Sequence, residues 1–241
     1  MEIQRLAEYC DRQLDLASAT LGSEYFYQSL PLCVIDAVWS IGIRYKAVQN
    51  VVKNYCDYFG YQQYRHDQSK LPQIDSQNSI DSFIDEYNKY GIETFTNEIY
   101  DNRQRTSSRN GILKSEAVLK FANILKKYKI DNLQTATLFV NNANFELDIK
   151  SIPGQGSGLS FRYFLMLSGH DNFIKFDRMI KSYTSACLIR SIENDEAELL
   201  LKEVASFLKP KYPDLTPRLL DYAIWQYQRA VEKPKKICNG S

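Results

Sequence analysis

Histidine is scarce in this chain of 241 residues and cysteine is never clustered, which limits the metal chemistry that the chain can support. There are two histidines, His66 and His170, and the five cysteines lie far apart, with no pair at CxxC spacing. Zinc and iron–sulfur sites are built from closely spaced cysteine and histidine ligands. We therefore expect no metal site and no cofactor, and we expect the cysteines to be free thiols. Any chemistry would be carried by carboxylates, hydroxyls, lysines or backbone amides.

Long apolar runs and a net charge of one sign are also missing. No stretch approaches the ~18 uncharged apolar residues of a membrane span. The first residues include Glu2 and lack the apolar segment of a signal peptide. Thirty basic residues oppose 29 acidic ones, which excludes a strongly basic tail for nucleic acid. We expect a cytoplasmic monomer that does not associate with membranes.

Basic side chains are nevertheless concentrated in one part of the sequence. Residues 101–130 carry eight basic and two acidic side chains, whereas residues 1–100 carry eight basic and fourteen acidic ones. A basic stretch flanked by serine and asparagine is typical of an edge that contacts phosphates. A solvated helix face is the alternative, and it is the commoner origin of such a run.

Apolar residues recur at intervals of three and four along most of the chain, which is the spacing of amphipathic helices. Residues 31–59 predict two helices that are separated near Ser40–Gly42, because glycine is unfavourable inside a helix. Residues 61–80 are polar and predict a long loop. Further helices are predicted at about 81–100, 113–128, 133–142, 158–169, 178–191, 194–208 and 215–232.

No segment shows the alternating pattern of a strand, so the sequence predicts an all-α protein. We expect a two-lobed helical bundle. Residues 31–189 are predicted to form its core, and residues 1–30 with 190–241 a terminal helical lobe.

The segment IPGQGSGLS, residues 152–160, lies between two of the predicted helices. Pro153 and Gly154 predict a turn, and Gly156 lets the backbone come close to another group. The amides that open the following helix suit an anionic phosphate. A plain connector between two helices is the alternative interpretation. Further along, Asp177 is placed to cap the next helix.

This order of hairpin, apolar helix, short loop and aspartate resembles the helix-hairpin-helix DNA glycosylases. Pro153, Gly154 and Gly156 match the hairpin of that superfamily, and Asp177 matches its catalytic aspartate at the usual interval of 24 positions from the proline. The segments SIGIRYKA and RNGILKSEA, which begin at positions 40 and 109, are similar to two further segments of the family. The resemblance covers roughly residues 30–190 and implies a helix-hairpin-helix DNA-binding motif.

The chain also departs from the family pattern. Gly158 stands where the bifunctional members carry a lysine nucleophile, so the resemblance implies an enzyme without lyase activity. Arg178 and Met179 replace the usual histidine after the aspartate, and Ile41-Gly42 replaces the residue that fills the gap left by a flipped base. Cysteines for a C-terminal iron–sulfur cluster are absent from the sequence.

The resemblance implies a monofunctional DNA glycosylase that hydrolyses the N-glycosidic bond of a flipped, modified base in double-stranded DNA and leaves an abasic site. Asp177 is the expected catalytic residue, because a carboxylate stabilises an oxocarbenium-like state and orients water. Its alternative role is a helix cap worth about 1 kcal/mol. DNA repair and defence against modified phage DNA are both compatible roles. The alternative function is a non-catalytic helix-hairpin-helix module that binds DNA structure or docks a partner.

The remaining site residues follow from the same resemblance. Phosphate contacts are expected from residues of the hairpin and from basic side chains: Gly154, Gln155, Gly156, Ser157, Gly158, Arg178, Lys181, Arg109 and Lys114. Such hairpins often carry a monovalent cation on their carbonyl groups, and the resemblance permits one here.

Two further sets of side chains are candidates for handling the flipped base, and core packing is the alternative for both. A strand wedge after the helix break would consist of apolar and aromatic side chains: Ile41, Ile43 and Tyr45. A stacking platform for the base pocket would come from the C-terminal helix: Trp225, Tyr222 and Tyr227.

Overall fold

The computed structural model describes residues 1–138 and 142–232, and in this part of the chain it contains eleven α-helices and no strand. The prediction of an all-α protein is confirmed. Residues 139–141 of the predicted helix 133–142, and Cys238, lie outside the described residues. The helices are α1 Glu2–Gln13, α2 Leu30–Trp39, α3 Tyr45–Phe59, α4 Ile80–Thr94, α5 Lys114–Lys127, α6 Leu133–Leu138, α7 Ala143–Ser151, α8 Leu159–Ser168, α9 Arg178–Leu188, α10 Asn194–Leu208 and α11 Pro217–Glu232.

Two compact units divide the chain. Residues Gly22–His170 form the central unit, and Met1–Leu21 together with Asp171–Ser241 form the terminal unit. The sequence prediction had assigned 31–189 to the core, so α9 belongs to a different unit from the one expected. The physical reason is packing, because α9 lies against α1 and α11.

Helix α2 is the centre of the central unit. All ten of its residues are buried, and it packs against α3, α4, α5 and α8. Nine of its ten residues are apolar, and a helix with apolar residues on all sides belongs inside a protein. Its one polar residue, Asp36, accepts a hydrogen bond from the hydroxyl of Tyr27. The helix ends at Trp39, and the left-handed Gly42 (φ 73°) redirects the chain into α3. The predicted break near Ser40–Gly42 is therefore confirmed.

The polar loop at 61–80 is fastened to the helices of the central unit. The hydroxyl of Tyr61 donates to Oε1 of Glu86 on α4 (2.6 Å), and the hydroxyl of Tyr55 donates to Oε2 (2.7 Å). Burial raises the pKa of Glu86, whereas the hydrogen bonds from these two hydroxyls lower it. The amide of Gln28 also donates to the carbonyl oxygen of Gln63 (3.0 Å). The segment therefore has little regular structure, a short 3₁₀ helix at Ile74–Ser76 and an isolated bridge at Tyr64, but it has fixed partners.

The terminal unit is built from α1, α9, α10 and α11. Helix α1 packs against α9 and α10, and α11 packs against the same two helices. Its core also takes two side chains from the segment that precedes α9, Ile174 and Phe176. This segment is therefore anchored to the unit before α9 begins.

A buried lysine closes the C-terminal end of α2. Lys114 is 1% exposed, and its ammonium group donates to the carbonyl oxygens of Trp39 (2.9 Å) and Ile41 (2.6 Å). The last carbonyls of a helix have no partner within the helix, and they carry the negative end of its dipole. From the first turn of α5, Lys114 supplies these carbonyls with both hydrogen-bond donors and a positive charge.

We expect Lys114→Met to lower the free energy of unfolding by about 2–4 kcal/mol, because buried carbonyls lose two charge-assisted hydrogen bonds. Urea or thermal unfolding followed by circular dichroism measures this loss.

Lys120→Met on the same helix is the matched control. Its side chain is 48% exposed beside Glu116, so the change should stay within about 0.5 kcal/mol. Equal stability of the two variants would contradict the role assigned to Lys114.

Candidate functional site

The predicted hairpin is a pair of tight turns between α7 and α8. The amide of Gln155 donates to the carbonyl oxygen of Ile152 (2.9 Å), and the amide of Gly158 donates to that of Gln155 (3.0 Å). Gly154 (φ 85°) and Gly158 (φ 73°) are both left-handed. Residues other than glycine rarely adopt this conformation, so a side chain at either position would strain the turn.

The hairpin lies directly against the loop that contains Arg109. A Cβ atom added to Gly154 would lie 2.4 Å from Cβ of Thr106. That loop is closed by a hydrogen bond from the amide of Thr106 to the carbonyl oxygen of Ile112 (2.9 Å), and Ser107 Oγ donates to the carbonyl oxygen of Arg109 (2.6 Å). Two segments that were predicted separately to contact phosphates are therefore neighbours within the central unit.

The surface of this composite edge is mainly backbone. Gly154, Gly156 and Ser157 are exposed, as is Arg109 in the adjoining loop. The exposed backbone of these hairpin residues, together with the guanidinium of Arg109, suits the oxygen atoms of a phosphate. The predicted phosphate contacts at Gln155 and Gly158 are a correction, because both residues are buried and their amides are bonded within the turns. The predicted contacts Arg178 and Lys181 are exposed on α9 and belong to the terminal unit.

Lys114 does not belong to this edge, and its predicted phosphate contact is a correction. The side chain is buried and its ammonium group is engaged by the end of α2. The sequence showed a basic residue in a basic segment, but it could not show which cations the packing of α5 against α2 would enclose.

The three wedge candidates lie where α2 passes into α3. Ile41 and Ile43 are half-buried. Tyr45 directs its hydroxyl to Oδ2 of the buried Asp36 (3.4 Å), which also accepts from the hydroxyl of Tyr27 (2.8 Å). Burial and the Asp36 carboxylate raise the pKa of Tyr45. Tyr45 is thus part of a buried polar cluster, and the wedge role stays a prediction.

The three aromatic side chains of α11 pack within the terminal unit. Tyr222 is buried and stacks on Trp225, with ring centroids 5.8 Å apart. Trp225 also lies under the guanidinium of Arg229 (4.4 Å). Tyr227 contacts the ring of Tyr183 edge-on (5.7 Å). Trp225 and Tyr227 are only partly buried against the core of this unit, and the base-pocket role stays a prediction.

Asp177 is the N-cap of α9, as its position predicts. Its Oδ1 accepts hydrogen bonds from the amides of Met179 (2.8 Å) and Ile180 (3.3 Å). Within the described part of the chain, Oδ2 accepts none, and the side chain is half-buried. One carboxylate oxygen is therefore fixed by the helix while the other stays available.

A second carboxyl lies near Asp177 and was missed by the sequence reasoning. Asp221 on α11 is 5% exposed, and its Oδ1 accepts a hydrogen bond from the amide of Lys175 (3.0 Å). Burial and the Asp177 carboxylate raise the pKa of Asp221 well above its usual range, although Lys175 lowers it in part. One feature of the sequence could have indicated Asp221: it follows Leu220 on the apolar side of a predicted helix. Acidic residues are rare in such buried positions unless they have a partner.

The comparisons with known proteins identify a family without an assigned role. Residues 4–229 match the family described as Domain of unknown function (DUF8548), and the chain belongs to this family. No curated protein and no solved structure matches the chain.

Two further findings concern ligands and membranes. Among residues 1–138 and 142–232, no group of three or more histidine, cysteine, aspartate or glutamate side chains is arranged to hold a metal ion. No helix in the same residues is both long and apolar enough to cross a membrane.

We expect Gly154→Ala to lower the free energy of unfolding by about 1–3 kcal/mol, because it combines a left-handed backbone with overlap on Thr106. A corresponding fall of several degrees in the thermal midpoint is expected.

Gly156→Ala is the matched control in the same hairpin. Its backbone is not left-handed, and the nearest atom to an added Cβ is the carbonyl oxygen of Lys150 at 3.8 Å. Its midpoint should stay near that of the wild type, so similar losses in both variants would disprove the close approach at Thr106.

Proposed function

We propose that this protein is a monofunctional DNA glycosylase of the helix-hairpin-helix type. It would hydrolyse the N-glycosidic bond of a modified base flipped out of double-stranded DNA and leave an abasic site, in repair or in defence against modified phage DNA. The observation that carries the proposal is the geometry of Asp177, which is a carboxylate held rigidly through one oxygen at the start of α9.

The chemistry of the reaction explains why such a carboxylate is needed. Cleavage of a glycosidic bond develops positive charge on the sugar, and a nearby anion stabilises that charge. A carboxylate can also orient or deprotonate the attacking water. With Oδ1 fixed by the amides of Met179 and Ile180, Oδ2 of Asp177, which accepts no hydrogen bond from the described residues, is oriented in advance for both tasks.

The composite edge of the central unit supports a DNA substrate. The exposed hairpin residues Gly154, Gly156 and Ser157 and the side chain of Arg109 would contact the phosphate backbone. Arg178 and Lys181, exposed on α9, are further proposed phosphate contacts. Because such contacts release counterions from DNA, the affinity should fall steeply with salt. Gly158 in a left-handed conformation leaves no amine at that position for a Schiff base, so lyase activity is not proposed.

A monovalent cation at the hairpin fits the donor chemistry found there. Gln155 is 2% exposed, and its buried Oε1 has no hydrogen-bond partner within the described residues. Neutral oxygen atoms are the ligands that hard cations take in proteins. When bound, the cation would stiffen the turn and add positive charge beside the phosphate, and Gln155 is the residue that would contribute to holding it.

Asp177→Asn tests the catalytic role without removing the helix cap, since asparagine caps a helix as well as aspartate does. We expect base release to fall at least about 100-fold, with unchanged thermal stability and unchanged DNA affinity. The measurement is the formation of alkali-labile abasic sites in unmodified, alkylated, oxidised and phage-derived DNA under single-turnover conditions.

Two results would contradict this function. If Asp177→Asn releases base at the wild-type rate, the carboxylate is only a cap. If the wild type releases no base from any DNA but binds DNA in a salt-sensitive way, the protein is a non-catalytic helix-hairpin-helix module.

A further inference from the structure

The segment between residues 171 and 177 ends at the candidate catalytic aspartate, and α11 holds it at two points. Near its start, the guanidinium of Arg218 pairs with Oδ1 of Asp171 (2.7 Å), and the amide of Arg218 donates to the carbonyl oxygen of Asp171 (3.0 Å). Near its end, Asp221 accepts from the amide of Lys175 (3.0 Å). Residues three apart on a helix share a face, so one face of α11 binds both ends of the segment.

A short chain of hydrogen bonds connects Asp221 to Asp177. Asp221 Oδ1 holds the amide of Lys175, and the carbonyl oxygen of Lys175 accepts from the amide of Asp177 (2.6 Å). Between them, the buried Phe176 anchors the backbone in the core of the terminal unit. The position of the Asp177 backbone therefore depends on a hydrogen bond made by a side chain of another helix.

The surroundings of Asp221 favour an uncharged side chain as the acceptor of the Lys175 amide. Burial raises the pKa of Asp221 most, and the charge of the Asp177 carboxylate raises it further. Among the described residues, the charge of Lys175 lowers it. A protonated Asp221 can accept from the amide of Lys175 without placing a second negative charge beside Asp177. Asparagine has the same shape and the same acceptor oxygen.

We infer that Asp221 is a positioning residue for Asp177, acting through the amide of Lys175. The inference rests on the proposed function for its catalytic consequence. Truncation of Asp221 leaves the Lys175 amide without its acceptor and frees the end of the segment. A misplacement of about 1 Å at a reacting group can cost on the order of 100-fold in rate.

The test compares Asp221→Ala, Asp221→Asn and Asp214→Ala in the full chain. Asp221→Ala should lower the single-turnover rate of base release 10- to 100-fold while the DNA affinity stays within twofold. Asp221→Asn should remain within threefold of the wild type, since it keeps the acceptor. Asp214 is exposed just before α11, so Asp214→Ala should change neither quantity.

Amide hydrogen exchange provides a readout that does not require activity. Asp221→Ala should accelerate exchange at Lys175, and at Met179 and Ile180, whose amides depend on the Asp177 cap; Asp221→Asn and Asp214→Ala should not. Unchanged exchange in Asp221→Ala, or equal loss of base release in Asp221→Ala and Asp221→Asn, would overturn the inference. If the wild type releases no base but Asp221→Ala accelerates this exchange, the proposed function fails and the positioning contact stands.

Discussion

The central unit depends on the complete burial of α2, because α3, α4, α5 and α8 all pack against that helix. Burying a helix on all sides removes apolar surface from water, but it also encloses the helix end, where carbonyl groups lack partners. Lys114 resolves this conflict by placing its ammonium group on the carbonyls of Trp39 and Ile41. The contact joins α5 to α2 and positions the loop that leads into α5.

That loop in turn meets the hairpin between α7 and α8. Gly154 is required at this contact because its backbone is left-handed and Thr106 occupies the space that a side chain would need. The absence of a side chain at Gly154 therefore allows the two loops to approach closely. The contact between the two loops therefore depends on one glycine in a short turn.

The terminal unit handles its acidic residues in a different way. Asp177 is fixed by local hydrogen bonds with the first turn of its own helix, an arrangement that the position of an aspartate before a helix predicts. Asp221 is fixed by a residue 46 positions away along the chain. Only folding brings these two carboxyls near each other, and burial together with the Asp177 carboxylate then raises the pKa of Asp221.

The sequence by itself determined most of the helices, the break at Ser40–Gly42, the turn at Pro153–Gly154 and the cap at Asp177, whereas α1 and α7 were not predicted. Each of these depends on residues that are neighbours in the chain, through apolar spacing, backbone preference or a local hydrogen bond. Only the tertiary structure decided that Lys114 is buried and that Asp221 supports the segment before α9. Long-range packing alone determines which polar side chains are enclosed and which partners they find.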